Sequence, residues 1–359
     1  MCRSSFRGMV FAVLLLSIPF TPLTRSHAQE VGRVVQLEVP APALKGNLLN
    51  TPASQGAAVY LPPSYDDGSD RRFPVIYLLH GNFDDYDVWL EHFGVPVILD
   101  RMIAAGNIPE LIVVMPNGGN RYGGGFYRNS PVSGNWADFI SIDLVEFVDE
   151  HFQTLSNPVS RAVVGHSMGG YGALNLGMNH PDVFSVVWAL SPCCLVPSED
   201  LSFGNEAWQR AFAVTKPEDL QELIASRDFY AIALLGILSA FNPDPDAAPH
   251  FGDFPFDVVR GEVVLDDDAF DHYRDAFAAR QVRSARDNLR SLRGLGLGVG
   301  LGDQFLHITD GTLEFSQQLG AERIPHRLDV YAGDHREQIS ERLEEAVLPW
   351  VAKRLIHED

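Results

Sequence analysis

The sequence predicts an α/β fold with a mostly parallel central sheet and helices on both of its faces. Short apolar runs alternate with helical patterns along most of the chain, and crossover connections between such runs give parallel sheets covered by helices. One run leads directly into a Gly-x-Ser-x-Gly sequence, residues 165–169, which opens the next helical pattern. The 359 residues are 46% hydrophobic and 21% charged, which suffices for one large core.

The predicted strands are apolar or alternating runs bounded by turn residues. They cover residues 34–39, 57–61, 74–79, 111–115, 161–164, 186–190, 295–301 and 327–331. The predicted helices cover residues 138–152, 169–178 and 337–356. Ligands of such sheets bind beyond the carboxyl ends of the strands, so we expect the functional residues there.

The alternation of strands and helices stops between Leu195 and Arg290. This stretch has several helical segments and a proline-rich turn at 242–246. It predicts a largely helical insertion after the sixth strand that forms a lid over the site, within a single domain spanning residues 29–359. The alternative is that the insertion packs at the edge of the fold and only stabilises it.

Residues 1–28 have the features of an export signal. Arg3 and Arg7 precede an apolar run at 9–20, which is too short to span a bilayer comfortably. Ser26 and Ala28 are small residues at the two positions that a signal peptidase requires, so we expect cleavage after Ala28. This predicts an exported protein, periplasmic or secreted, without an integral membrane segment after cleavage. An uncleaved anchor is the alternative.

The charge and the cysteines exclude several classes of partner. The formal net charge is −20 and no basic stripe is present, which argues against nucleic acids and anionic membrane surfaces. Cys2 would leave with the signal, and the adjacent Cys193 and Cys194 lack the spacing of a metal site, so we predict no metal. The sequence allows two states of these cysteines: a disulfide ring that joins them, or two reduced, buried thiols.

The Gly-x-Ser-x-Gly sequence predicts a nucleophile at Ser167. Glycines on both sides permit a turn tight enough to lift the serine hydroxyl out of the junction between a strand and a helix. The apolar run before it and the helical pattern after it match that context. A glycine-rich turn without chemistry is the alternative.

A serine nucleophile requires a base, and in this arrangement the base is a histidine late in the chain. His335 follows the last predicted strand, where a loop can return it to the serine. The other candidates are less well placed: His307 begins a helix, His326 precedes the last strand, and His357 lies in the tail.

The acid that orients the histidine should follow the penultimate strand, which gives Asp303. Asp310 lies one or two helical turns later, and Asp334 adjoins His335, from where a hydrogen bond of the required geometry is rare. Two backbone N–H groups should stabilise the developing oxyanion: those of Met168, after the serine, and Asn82, after the third strand. Among the residues at 123–136, Tyr127 and Trp136 are candidates for the wall of the substrate pocket, with packing in the core as the alternative.

Four segments together resemble one family: Tyr-Leu-Leu-His-Gly at 77–81, Gly-His-Ser-Met-Gly-Gly at 165–170, Asp-Gln-Phe-Leu at 303–306 and Gly-Asp-His at 333–335. They are similar to the esterases of the α/β-hydrolase fold that include esterase D (S-formylglutathione hydrolase), tributyrin esterase, feruloyl esterases and the antigen 85 mycolyltransferases. The resemblance runs from about residue 44 to the C-terminus, apart from the insertion. It implies a triad of Ser167, Asp303 and His335, oxyanion donors at Asn82 and Met168, and no metal or organic cofactor. Asn82 departs from the leucine often found at its position.

The sequence therefore predicts an exported serine carboxylesterase that acts through an acyl-enzyme on a small-molecule, lipid or carbohydrate ester. An acyltransferase using the same triad is the second hypothesis, because the chemistry is identical as far as the acyl-enzyme. A non-catalytic protein that keeps the fold is the third hypothesis, since fold alone does not prove function.

Overall fold

The structure is a computed structural model that describes Met1, residues 31–260 and residues 262–358. The predicted export signal, residues 1–28, lies outside the described residues apart from Met1. Within the described residues, no helix combines the length and the apolarity needed to cross a bilayer.

The fold is built on one eight-stranded sheet. Its strands are β1 Arg33–Pro40, β2 Ser54–Leu61, β3 Val75–Leu79, β4 Ile112–Pro116, β5 Arg161–His166, β6 Val186–Leu190, β7 Gly294–Gly300 and β8 Arg327–Tyr331. They lie in the order β1-β2-β4-β3-β5-β6-β7-β8. Strand β1 pairs with β2, and β2 with β4, in antiparallel fashion, while all other pairs are parallel. This confirms the predicted mostly parallel sheet.

The sheet separates two hydrophobic cores. Successive side chains of a strand point to opposite faces, so Val75 and Tyr77 of β3 join one core while Ile76 and Leu78 join the other. Strands β3, β4, β5 and β6 are buried along their whole length, as expected for parallel strands with both faces covered. This burial explains why they read as continuous apolar runs in the sequence.

Helices cover both faces of the sheet. The core that contains Val75 is covered by a helix that runs continuously through Trp136–Asp138, Phe139–Leu144 and Val145–His151, by Met168–Asn179 and by Leu306–Ala321. Val95–Ala104 and the C-terminal helix, which runs through Ile339–Arg342, Leu343–Val347 and Leu348–Ala352, cover the other core. The helices predicted at 138–152, 169–178 and 337–356 are therefore present, with the last one shorter than expected at both ends.

Between β6 and β7 the chain leaves the sheet and forms a largely helical segment. Its helix Phe229–Phe241 begins at Asp228, whose carboxylate accepts a hydrogen bond from the Ala231 N–H at 3.1 Å, and it is buried from Ala231 to its end. The buried side chains of the segment belong to the same core as the Met168–Asn179 helix. Its helices are Ala207–Phe212, Pro217–Ser226, Phe229–Phe241, Asp267–Asp275, Ala278–Gln281 and Arg286–Ser291, and Phe256–Val259 pairs with Glu262–Leu265 in a small hairpin.

Candidate active site

Ser167 occupies a sharp turn between β5 and the Met168–Asn179 helix. Its backbone has φ 58° and ψ −117°, a conformation that residues with a side chain rarely adopt. The two flanking glycines make the turn possible: a Cβ on Gly165 would lie 2.0 Å from the Gly169 carbonyl oxygen, and a Cβ on Gly169 would lie 2.2 Å from the Leu79 carbonyl oxygen. The glycines are therefore required by backbone packing.

The serine opens onto a cavity at the carboxyl ends of the strands. Its N–H donates to the Leu190 carbonyl oxygen of β6 at 2.9 Å, which fixes the turn to the neighbouring strand. Among the described residues, the Ser167 hydroxyl has no hydrogen-bond partner. It is free to meet a ligand in the cavity.

His335 and Asp303 meet at the same edge of the sheet. Asp303 follows β7 and His335 follows β8, and Oδ2 of Asp303 lies 2.7 Å from Nδ1 of His335. The other carboxylate oxygen accepts from the Phe305 N–H at 2.9 Å, and the Asp303 side chain is completely buried. A carboxylate bonded to Nδ1 holds the proton there and leaves Nε2 of His335 as the basic nitrogen.

A second histidine, His166, fixes the His335 backbone. Nε2 of His166 lies 2.8 Å from the His335 carbonyl oxygen, and the two rings have their centroids 4.5 Å apart. Burial, and then the charge of His335, hold the pKa of His166 well below its ordinary value. The ring is therefore neutral, with Nε2–H donating to the carbonyl, and its Nδ1 is buried without a partner among the described residues.

The backbone N–H groups of Asn82 and Met168 are both available at the site. Neither donates a hydrogen bond within the described part of the chain. Met168 is the first residue of its helix, where N–H groups lack helical partners and point outward. The Asn82 loop lies against the serine, since a Cβ on Gly81 would lie 3.3 Å from the Ser167 Cβ.

The side chain of His80 connects that loop to the segment after β4. Its Nε2 accepts from the Gly118 N–H at 2.7 Å, and its Nδ1–H donates to the Gly81 carbonyl oxygen at 2.7 Å. Burial lowers the pKa of His80. The neutral ring satisfies both backbone groups, whereas a protonated ring would put a second N–H against the Gly118 N–H.

The cavity above Ser167 has a largely apolar wall. Aromatic side chains from three parts of the chain form much of it: Phe126 after β4, Phe229 and Tyr230 of the insertion, and Phe305 after β7. Phe229 lies between Phe83 and Phe305, with ring centroids 5.2 Å and 5.5 Å away. Phe126 lies in the 123–136 segment from which the pocket wall was expected. Sequence reasoning missed Phe229, Tyr230 and Phe305, because no pattern in the sequence marks a side chain that lines a cavity.

The structure does not bring Tyr127 and Trp136 to the cavity, which corrects the predicted pocket wall at both positions. Both side chains are fully buried in the core. The Tyr127 hydroxyl donates to the His80 carbonyl oxygen at 3.2 Å, and Trp136 Nε1–H donates to the Ser133 carbonyl oxygen at 2.9 Å. Their polar atoms are satisfied inside the protein, so the alternative of core packing describes them.

The other candidates for base and acid have different surroundings. His326 Nε2 lies 2.8 Å from the Ser316 hydroxyl, and His357 Nε2 lies 2.9 Å from the Ala352 carbonyl oxygen. Asp310 is exposed, and Asp334 accepts hydrogen bonds from two backbone N–H groups of its own loop. His307 lines the cavity, paired with Asp200 at 2.6 Å.

Cys193 and Cys194 are free, buried thiols that also line the cavity. The Cys193 N–H donates to the Ser167 carbonyl oxygen at 3.1 Å, which places this residue directly beside the serine turn. No disulfide ring joins the two cysteines in this structure.

Comparison with known proteins identifies the family of this chain. A family model described as "Putative esterase" matches residues 50–340. The chain belongs to this esterase family. Esterase Rv1288 of Mycobacterium tuberculosis is 38% identical to it over 125 residues, which are 33% of this chain and 25% of the relative. The endo-1,4-beta-xylanase/feruloyl esterase of Xylanibacter ruminicola is 30% identical over 154 residues, or 42% of this chain and 21% of the relative. The matched part thus spans a quarter or less of these curated relatives.

Solved structures of esterases share the fold of this chain. A ferulic acid esterase superposes with a TM-score of 0.64 at 21% identity, covering 91% of this chain and 100% of that one. An S-formylglutathione hydrolase from Agrobacterium tumefaciens superposes with a TM-score of 0.59 at 18% identity, covering 91% and 97%. These similarities confirm the predicted α/β-hydrolase fold.

Proposed function

We propose that the protein is a serine carboxylic ester hydrolase in which Ser167 is the nucleophile, His335 the general base and Asp303 the residue that orients it. The observation that carries the proposal is the 2.7 Å hydrogen bond between Asp303 and His335 Nδ1, at the sheet edge where the strained turn presents Ser167. Family membership supports the same chemistry.

In the proposed reaction, the Ser167 oxygen attacks the ester carbonyl carbon while Nε2 of His335 takes the hydroxyl proton. The N–H groups of Asn82 and Met168 donate to the oxyanion, and each such donor contributes roughly 10²–10³ in rate. Collapse of the intermediate breaks the carbon–oxygen bond, and His335 gives its proton to the leaving alcohol. Water, deprotonated by His335, then releases the acid from Ser167.

We propose that the acyl group is apolar and enters the cavity lined by Phe126, Phe229 and Phe305. The support is the composition of the wall, because an apolar cavity binds apolar groups through the area they bury. Relatives named feruloyl or ferulic acid esterases make ferulate esters an informative member of the substrate panel.

The direct test is hydrolysis of p-nitrophenyl and methyl esters, including acetate, butyrate, octanoate and ferulate. Ser167→Ala should lose roughly 10⁴-fold or more in kcat/KM, because the nucleophile is essential to the acyl-enzyme route. Ser226→Ala, which changes an exposed serine of the insertion, is the matched control and should keep full activity. Equal activity of both variants would contradict the proposal.

Acyl transfer to another hydroxyl is the competing outcome, because it uses the same residues as far as the acyl-enzyme. Product analysis with added acceptor alcohols separates the two. Free acid as the main product supports hydrolysis, and transfer that exceeds hydrolysis at modest acceptor concentration would overturn it.

We also propose that the protein is exported, with cleavage after Ala28. The support is the arginine-led apolar run and the small residues before the cut. Intact-mass measurement of protein recovered from outside the cytoplasm should show a chain that starts at Gln29. Uncleaved protein retained inside the cell would count against export.

A further inference from the structure

A group of polar side chains that the proposed hydrolysis does not use lies at the wall of the cavity. It consists of Cys193, Asp200 and His307, with Tyr230 bound to the aspartate. Cys193 follows β6, Asp200 lies in the insertion, and His307 lies in the first turn of the Leu306–Ala321 helix. Three separate parts of the chain thus converge on one wall.

Asp200 fixes the orientation of His307. Its Oδ1 lies 2.6 Å from His307 Nδ1 and accepts from the His307 N–H at 2.9 Å. Its Oδ2 accepts from the Tyr230 hydroxyl at 2.9 Å. With Nδ1–H committed to the carboxylate, Nε2 is the ring nitrogen left to act on the cavity side, and it is buried with no hydrogen-bond partner within the described chain.

Cys193, which follows β6, supplies an ionisable thiol to the wall of the same cavity that His307 lines. Burial lowers the pKa of His307. The hydrogen-bonded carboxylate of Asp200 and the proximity of the Cys193 thiol both raise this pKa and outweigh burial, so the net pKa is raised. Burial raises the pKa of Cys193, but Cys194 and His307 outweigh burial, and the net pKa is lowered. Both shifts favour a thiolate beside an imidazolium.

The remaining ionisable groups around this pair do not oppose it. The pKa values of Tyr171, on the Met168–Asn179 helix, and of Tyr230 are raised by burial, so both are neutral hydroxyls. Cys194 also lines the cavity, but burial and then its neighbour Cys193 raise the pKa of its thiol well above the ordinary value. Cys194 is therefore an internal control for the reactivity of Cys193, because both thiols line the same cavity but their pKa values shift in opposite directions.

We infer that Cys193 is a second nucleophile in the cavity, oriented and activated by His307 and Asp200, and that it is a modification site for small, uncharged soft electrophiles. Haloacetamides and α,β-unsaturated carbonyl compounds belong to this class. The carboxylate–imidazole–thiol order matches the arrangement by which other proteins activate cysteines, since the thiolate is the reactive form. The adduct would fill the cavity beside Ser167 and block the acyl group.

The chemical step with iodoacetamide needs no further reactant. The thiolate sulfur attacks the methylene carbon, the carbon–sulfur bond forms, the carbon–iodine bond breaks and iodide leaves. The proton that the thiol gave up stays on His307.

The test is time-resolved alkylation of the folded, full-length protein with iodoacetamide between pH 5.5 and 9, with Cys193 and Cys194 quantified separately by peptide mass spectrometry. Cys193 should react at least about tenfold faster than Cys194 at pH 7, with a midpoint below the value of about 8.5 for an unperturbed thiol. His307→Gln should slow the reaction of Cys193 about tenfold at pH 6.5 and much less at pH 9, where any thiol ionises. Asp200→Asn should act in the same direction, and His326→Gln, which changes a histidine outside the cavity, should have no effect.

Several outcomes would overturn the inference. They are equal rates at the two cysteines, no reaction of Cys193 in the folded protein, and an ordinary pH midpoint. A His307→Gln variant that melts like the parent and reacts at the parent rate would also overturn it, because accessibility alone would then explain the selectivity. If a variant fails to fold, the pH profile of alkylation in the parent protein still tests the inference.

A parallel measurement separates this inference from the proposed function. Ester hydrolysis should fall in step with Cys193 modification, and whatever activity Cys193→Ser retains should resist the reagent. Ser167→Ala should still be alkylated at Cys193. If no ester is hydrolysed but Cys193 reacts selectively, only the esterase proposal fails, and the reverse pattern removes only the second nucleophile.

Discussion

At the scale of single residues, the backbone at Ser167 is held in a conformation that its neighbours impose. Its φ of 58° is outside the range that a serine prefers, and such conformations cost about 1–3 kcal/mol unless the surroundings enforce them. The enforcement comes from the hydrogen bond of its N–H to Leu190 and from the close passage of the Gly165 and Gly169 backbones. The strain keeps the hydroxyl at the cavity.

The glycine requirement gives a direct prediction. Gly165→Ala should destabilise the protein by about 3 kcal/mol or more, or prevent folding, because the new methyl group would overlap the Gly169 backbone and not a movable side chain. Thermal or urea unfolding measures the change. Gly320→Ala is the control, since a Cβ at this helical position meets nothing within 4 Å and should be neutral or stabilising by up to about 1 kcal/mol. An unfolding curve of Gly165→Ala that overlays the parent would refute the packing argument.

The proposed role of Asp303 gives a second prediction at this scale. Asp303→Asn should lower kcat by about 10³–10⁴, because an amide would favour the wrong tautomer of His335 while leaving the shape nearly unchanged. Asp334→Asn is a matched control in the adjoining loop, where the side-chain oxygen accepts from the Arg336 and Glu337 N–H groups and an amide oxygen can do the same. Steady-state kinetics on one ester compare them. Similar losses in both variants would indicate a general disturbance of the loop.

At the scale of elements, the loops at the carboxyl ends of the strands depend on neutral histidines. His80 joins the Asn82 loop to Gly118, and its protonation would break the bond to the Gly118 N–H. Because the folded-state pKa of His80 is lowered, its contribution to stability is complete above the unfolded pKa of about 6.5 and is lost as the pH falls through the folded value. Acid is therefore expected to loosen the Asn82 loop through this residue.

The expected result is a steeper loss of stability below pH 6.5 in the parent than in His80→Gln. A single histidine contributes a slope of at most about 1.4 kcal/mol per pH unit. Urea unfolding at pH 7.5, 6.5, 5.5 and 5.0 measures it, and His151→Gln, at an exposed histidine, should keep the parent slope. Parallel curves for the parent and His80→Gln would show that His80 is not coupled to folding in this range.

The Phe229–Phe241 helix contributes an exposed part of the aromatic wall, since Phe229 is 42% exposed while it contacts Phe83 and Phe305. Phe229→Ala should lower kcat/KM for octanoate about tenfold, which corresponds to about 1.4 kcal/mol of lost contact, and should change acetate by less than about twofold. Val264→Ala, at an exposed position of the hairpin in the same insertion, should change neither. Equal losses on both esters in Phe229→Ala would mean that the helix supports folding and not acyl binding.

The sequence predicted the elements of the sheet better than the cavity. Fully buried strands such as Val186–Leu190 and Ile112–Pro116 leave a continuous apolar signature, so their positions agree with the structure to within a residue or two. The cavity wall depends on how loops distant in sequence approach one another, as Phe126, Phe229 and Phe305 do. Tyr127 and Trp136 show the limit: an aromatic residue beside a strand end looks the same in sequence whether it faces the cavity or the core.

At the scale of the whole molecule, the parallel topology brings the candidate residues together. Ser167 follows β5, Asp303 follows β7 and His335 follows β8, and these strands end at one edge because they run in the same direction. That reasoning was accessible from the sequence, and it gave the pair Asp303–His335 that hydrogen-bonds in the structure. The contacts of His166 with His335 and of His307 with Asp200 were not, since they depend on side-chain directions at loop ends.

The most direct test of the central claim is labelling with a fluorophosphonate probe followed by mass spectrometry of the labelled peptide. A serine activated by His335 should carry the probe at Ser167, at one equivalent per chain, and His335→Gln should slow the labelling at least about 10³-fold because the hydroxyl proton then has no acceptor. Label on another residue, or labelling of Ser167 at the same rate without His335, would contradict the account.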